Sequence, residues 1–200
     1  SGRGRVSYFD RSMHKQAMQR LTTEDELRNA IVAEQLVVHY QPIVELATRR
    51  VVGHEALVRW SHPDRGLVPP LDFLPIAEAS GLIVDIDRYV LDVVCRALSQ
   101  RDDLVGNVSV NMSPRHLQEM GWRRAIEETL AAYDVPSDRI VVEVTETGIL
   151  PLLESLQPDF ALLRSQGIGI HVDDFGTGYS SISLLRDLPI NGLKLDASFT

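Results

Sequence analysis

Glu55, Asn111, Glu143, Asp173 and Asp174 are oxygen donors set in short runs of apolar, β-branched residues. Burying such groups without partners costs several kcal/mol each, by a rough order of magnitude. With Lys194, polar groups on five separate candidate strands therefore need a common explanation. Hard oxygen ligands suit Mg2+ or Mn2+ better than Zn2+. The adjacent Asp173 and Asp174 can serve two metals, and a metal pair about 4 Å apart activates water against a phosphodiester. Lys194 can position or deprotonate that water, or offset developing charge. Arg59 can hold a phosphate with its planar fork.

Each residue also has a plainer reading. A single strand-end Glu or Asn is more often a structural hydrogen-bonding group than a ligand, since polar groups mark sites only probabilistically. The turn Asp173-Asp174-Phe175-Gly176-Thr177-Gly178 can be a strand-to-loop transition with glycines for unusual φ. The plain reading must explain the whole set at once, and that favours the site. His54 is expected to pack behind its strand, and His171 to be a hydrogen-bonded interior histidine. His14, His39, His62 and His116 show no metal-ligand spacing. Trp60 and Trp122 are expected to pack, and Glu119, Glu127 and Glu128 to form a solvated helix face. Cys95 lies in an apolar helical run and reads as inert packing.

The elements that must position these groups alternate along the chain. Thr23 and Glu26 stand in capping-box spacing, which predicts a helix start there. Residues 37–44 and 51–60 read as strands, with Pro42 marking the first as irregular or at an edge. Their short connection predicts an antiparallel hairpin. Helices are expected over residues 71–80, closed by Gly81, and 84–100. A strand over 107–113 leads to a helix from Ser113-Pro114 to about residue 133. Strands over 140–146, 168–174 and 193–196 alternate with helices over 152–166, ended by Gly167, and 179–187.

In the second strand, alternation puts Glu55, Leu57 and Arg59 on one face and His54, Ala56 and Val58 on the other. In the later strands, Asn107, Ser109, Asn111 and Ser113 share a face, as do Lys194 and Asp196. Alternating strands and helices predict a parallel α/β architecture. An open Rossmann sheet lacks its glycine fingerprint here, and a (β/α)8 barrel with its site at the strand C-termini fits better. Six strands are expected where a barrel has eight, so the chain reads as a barrel truncated before its last strand–helix units.

The chain has 200 residues, 44% hydrophobic and 24% charged, as in an ordinary globular domain. A net charge of −8 argues against a general DNA or RNA binder. No apolar stretch approaches the roughly 20 residues of a spanning helix, so no membrane contact is expected from this segment. One cysteine and no leader-like block set the expectation of a cytoplasmic location, with upstream segments able to anchor the parent protein.

The ordered motifs closely resemble the EAL domains, bacterial cyclic di-GMP phosphodiesterases. They are Tyr40-Gln41-Pro42-Ile43-Val44, Glu55-Ala56-Leu57 within Glu55-x-Leu57-x-Arg59, and Asn111-Met112-Ser113. Glu143-Val144-Thr145-Glu146, Asp173 through Ser181, and Lys194-Leu195-Asp196 complete the series. The resemblance covers residues 21–200. It implies one Mg2+ or Mn2+ held by Glu55, Asn111, Glu143 and Asp173, and a second by Asp173 and Asp174. It implies Lys194 and Glu55 as catalytic groups, with Gln41, Leu57, Arg59 and Asp196 at the substrate. Glu146 would brace the loop from Phe175 to Ser181. The product would be linear pGpG, and the enzyme a homodimer through its EAL domains.

Residues 1–20, with Gly2-Arg3-Gly4-Arg5 and Tyr8-Phe9-Asp10, resemble the tail of a GGDEF domain followed by a linker. An upstream GGDEF domain in the same chain is thus implied. EAL domains carry a further Glu and Gln after the sixth strand, beyond residue 200. Two other readings stand beside the enzyme: a non-catalytic cyclic di-GMP receptor or regulatory module, and a Mg2+-dependent lyase or isomerase on the same barrel.

Overall fold

The structure, a computed structural model, describes residues 11–176 and 188–199. The elements run α1 (Arg11–Val32), β1 (Leu36–Val44), β2 (Val51–His62), β3 (Gly66–Val68), α2 (Pro70–Ser80) and α3 (Ile83–Gln100). They continue with β4 (Asn107–Asn111), α4 (Pro114–Leu117), α5 (Trp122–Ala132), β5 (Ile140–Thr145) and α6 (Glu146–Ile149). The last are α7 (Leu153–Ser165), β6 (Gly169–Phe175) and β7 (Gly192–Leu195). The helix expected over residues 179–187 lies outside the described residues.

Among the described residues one sheet runs β1-β2-β4-β5-β6-β7, with β3 paired to β2. β1 and β2 are antiparallel, and from β2 to β7 along that order every pairing is parallel. This is the expected barrel-type α/β sheet with its antiparallel first hairpin, and it is not closed among these strands. Pro42 sits in β1, opposite His54, at the end of the strand order where a missing N–H leaves no inner ladder broken.

The two faces of the sheet divide the chemistry. Val108, Val110, Val142, Val144, Ile170 and Val172 are buried in the main core, beneath the helices. The apolar stripe of α3, with Ile83, Ile86, Val90 and Val94, packs there, and Trp122 of α5 meets Phe160 of α7 edge-on at 6.0 Å. The opposite face carries Ser109, Glu143 and His171. Gly106, immediately before β4, has φ +73°, and a Cβ there would stand 1.9 Å from the Val52 carbonyl oxygen. Only glycine lets the loop after α3 approach β2 this closely.

Three sequence expectations need correction. α1 begins at Arg11, so Thr23 lies inside the helix and buried, and no capping box forms. A cap is worth about 1 kcal/mol, and residues 11–22, free of Gly and Pro, simply continue the helix. The helix expected over 114–133 divides into α4 and α5, because Gly121 adopts the left-handed conformation (φ 81°) between them. β3 was not expected. Pro63-Asp64-Arg65-Gly66 turns the chain back, with His62 Nδ1 accepting from the Asp64 and Arg65 amides at 3.1 and 3.2 Å. The expected closures at Gly81 (φ 88°) and Gly167 (φ 100°) are present.

Candidate active site

Parallel register aligns the inward side chains. Glu55 stands opposite Ser109, and one row crosses the sheet from Asn111 to Glu143, His171 and Gly192. Between β6 and β7 the register shifts: Val172 faces Leu193 and Phe175 faces Leu195. Asp173 and Asp174 on β6 therefore stand against Lys194 alone. Such a bulge redirects side chains at the end of a strand. Asp174 takes φ 53°, and its amide donates to Asp173 Oδ1 at 2.8 Å.

The carboxylates of Glu55, Glu143 and Asp173 converge, with ligand oxygens all within 4.8 Å of one another. Lys194 Nζ donates to Glu55 Oε2 (2.9 Å), Glu143 Oε2 (2.7 Å) and Asp173 Oδ2 (2.9 Å). Asn111 Nδ2 donates to Glu55 Oε1 at 3.2 Å. Glu143 has no solvent exposure, and its Oε1 has no hydrogen-bond partner among the described residues; His171 Nδ1 is 3.8 Å away.

Burial opposes the charge of Glu143, but His171 and Lys194 beside it hold its carboxyl below the usual range. Burial likewise opposes the charge of Lys194, and the surrounding carboxylates outweigh it, so its pKa is raised and it is an ammonium. Burial and the charges of Asp173 and Asp196 push the Asp174 carboxyl up. The Cys95 thiol, buried in α3, is pushed up to about 12, consistent with inert packing.

A metal ion fits this set. Three hard carboxylates converge from three strands, and Oε1 of the fully buried Glu143 has no hydrogen-bond partner among the described residues. An unpartnered carboxylate oxygen in a dry site needs a cation or a donor.

The remaining candidate residues fall around this cage. Gln41 pairs with Glu55 across the β1–β2 ladder and is exposed. Leu57, Asn111 and Glu143 line a cavity of about 230 Å3 that reaches under α2 and α3 to Leu74 and Ile86. Arg59 shares Glu55's face of β2, and its Nη1 donates to the Val58 carbonyl at 2.8 Å. Asp196 follows β7 and accepts from the Ser198 amide at 2.8 Å. Glu146, buried at the start of α6, accepts from the Gly176 amide at 2.8 Å. Residues 177–181 of the loop it would brace lie outside the described residues.

Asp87 of α3 is a group that sequence reasoning missed. It is 6% exposed and bonds Ser113. The available signal was a lone acid on an otherwise apolar helix face.

These features define a (β/α)-barrel domain with a carboxylate and lysine cage at the C-terminal ends of its strands. The chain belongs to the EAL domain family, whose model matches residues 24–200. It is 41% identical over 203 residues to cyclic di-GMP phosphodiesterase PdeR of Escherichia coli, covering 99% of this chain and 30% of PdeR. It is 37% identical over 201 residues to the bifunctional diguanylate cyclase/cyclic di-GMP phosphodiesterase MucR of Pseudomonas aeruginosa, covering 99% of this chain and 29% of MucR. The chain thus spans less than a third of the length of either relative. A solved structure of the PaMucR phosphodiesterase in complex with c-di-GMP superposes with a TM-score of 0.83 at 37% identity. That match covers 89% of this chain and 73% of the other. No described helix is long and apolar enough to cross a membrane.

Proposed function

We propose that this chain is the EAL part of a metal-dependent phosphodiesterase that hydrolyses cyclic di-GMP to linear pGpG in bacterial second-messenger signalling. The observation that carries the reading is the convergence of Glu55, Glu143 and Asp173 on Lys194. The family, and relatives named for this reaction, supply the substrate class.

Glu55, Asn111, Glu143 and Asp173 would hold one Mg2+ or Mn2+, and Asp173 with Asp174 the second. When bound, the pair supplies an activated water and neutralises charge on the phosphate. Lys194, held as an ammonium by its carboxylates, donates hydrogen bonds: it orients the attacking water and offsets the charge that develops on the phosphoryl oxygens. Water attacks phosphorus, the bond to the 3′-oxygen breaks, the water's proton ends on that oxygen as a 3′-hydroxyl, and the ring opens to the linear dinucleotide. Arg59 supplies a fork to the phosphate, while Gln41, Leu57 and Asp196 shape the nucleotide's surroundings. Glu146 holds the Gly176 end of the loop that follows Asp173 and Asp174. A cytoplasmic location, an upstream GGDEF domain and a homodimer through the EAL domains complete the proposal.

The test is chromatography of cyclic di-GMP incubated with the full-length protein and Mn2+, beside Glu55→Ala. Formation of pGpG by the first and not the second supports the enzyme. Binding of the dinucleotide with no turnover by the unaltered protein would instead make it a receptor.

A further inference from the structure

The carboxylate of Asp87 is buried in α3, yet it faces the end of β4 rather than solvent. Its Oδ2 accepts from the Ser113 amide at 2.9 Å and from the Ser113 hydroxyl at 2.6 Å. The Ser113 hydroxyl in turn accepts from the His116 amide at 3.2 Å and so caps α4. His116, 1% exposed, sets its Nδ1 at 3.4 Å from the same Asp87 oxygen. One acid thus fixes the backbone and the side chain of Ser113 together.

Ser113 lies two residues after Asn111, and the intervening Met112 amide donates to the Glu143 carbonyl at 2.8 Å. The chain leaving β4 is therefore held at Met112 by β5 and at Ser113 by α3. Between them these bonds fix the backbone from which Asn111 reaches Glu55 Oε1. Pro114 fixes its own φ and restricts Ser113 before it, and it packs so closely that a Cβ on Gly148 of α6 would stand 2.3 Å from its ring. Hydrogen bonds from an outer group that orient a ligand are worth about 10-fold to 100-fold in metal affinity or activity.

We infer that Asp87 is a positioning residue for the metal cage, acting through Ser113 on Asn111. Asp87 need touch neither metal nor substrate. The inference rests on the proposed reading of the cage as a metal site, and not on the identity of the reaction.

The test is a calorimetric Mn2+ titration of the full-length protein, with cyclic di-GMP turnover measured in parallel. Asp87→Ala is expected to weaken Mn2+ binding about 10-fold to 100-fold. Asp87→Asn keeps an acceptor oxygen for Ser113 and is expected to recover most of that loss. Ser113→Ala, which removes only the hydroxyl, guards against a variant that fails to fold and is expected to fall between them. With Asn111→Ala already in place, Asp87→Ala should weaken binding little further.

Unchanged Mn2+ affinity in folded Asp87→Ala, or losses that add fully to those of Asn111→Ala, would overturn the inference. A raised KM for the dinucleotide at unchanged Mn2+ affinity would also overturn it, making Asp87 a substrate contact. Absence of turnover in the unaltered protein sinks the phosphodiesterase reading alone, because the Mn2+ titration still reports on Asp87.

Discussion

Lys194 Nζ lies 2.7 Å from Oε2 of Glu143, a carboxylate with no solvent exposure, although 51 residues separate the two in the chain. The pair joins β5 to β7 across the intervening β6. Removing one partner of a buried pair leaves an uncompensated charge, which costs about 3–5 kcal/mol. Lys194 is itself 29% exposed, so the lower end of that range applies.

Lys194→Met should therefore destabilise the metal-free protein by about 3 kcal/mol. It should also lower turnover of cyclic di-GMP by about 10^2-fold to 10^3-fold, the scale of losing one preorganised donor. Urea denaturation in EDTA and steady-state kinetics check the two effects separately.

The pH dependence of that stability follows from the directions of the two shifts. Glu143 is depressed below its ordinary 4.5, so its contribution is complete above that value and is lost as pH falls through the folded pKa. Lys194 is raised above its ordinary 10.5, so its contribution is complete below that value and is lost as pH rises through the folded pKa. The stability difference between the unaltered protein and Lys194→Met, in EDTA, should be large at neutral pH and shrink as pH falls, because Glu143 left buried without Lys194 is driven to take up a proton. A difference that does not shrink on acidification would contradict the pairing.

Asp174 is shifted the opposite way, upward, by burial and by the charges of Asp173 and Asp196. Its ionised form therefore opposes folding at neutral pH. Asp174→Asn removes the charge and still tolerates φ 53°, since Asn adopts the left-handed region readily. In EDTA it should stabilise the protein by less than about 1 kcal/mol, while weakening the binding of a second Mn2+. Thermal melts with and without metal distinguish the two effects.

Glu146 meets the Gly176 amide just beyond the bulge that carries Asp173 and Asp174. Glu146→Ala leaves that amide without its acceptor, and about 10-fold or more of the turnover should be lost, as for other groups that support ligands indirectly. Glu146→Gln keeps an acceptor oxygen and should retain most of the rate. Equal losses in both variants would mean that the charge, not the hydrogen bond, matters.

Gly106→Ala tests the frame rather than the site. The left-handed backbone costs an L-residue about 1–2 kcal/mol, and a Cβ 1.9 Å from the Val52 carbonyl adds a clash. A loss of more than 2 kcal/mol, roughly, is expected. The midpoint of urea denaturation reads it directly.

Much of this architecture was legible in residue types alone. Strand periodicity marks residues 51–60, and the short connection before them forces an antiparallel hairpin. Asn, Glu and Asp in apolar runs announce a shared polar end. Gly81 and Gly167 close their helices as glycine in the left-handed region does. These signals are local: period, propensity and turn chemistry act within a few residues.

Other features needed the folded chain. Thr23 and Glu26 carry a good capping signal that α1 overrides by continuing from Arg11. Asp173 and Asp174 are adjacent in any reading, but only the register shift against β7 stands both against Lys194. Asp87 reads as an ordinary helix acid until α3 packs beside β4 and brings it to Ser113. The sequence by itself determined most of the elements and which strands carry oxygen donors, because those depend on local periodicity and on the cost of burying unpartnered polar groups. Tertiary structure alone decided which of those donors meet, because register and helix packing join atoms that are 51 and 139 residues apart in the chain.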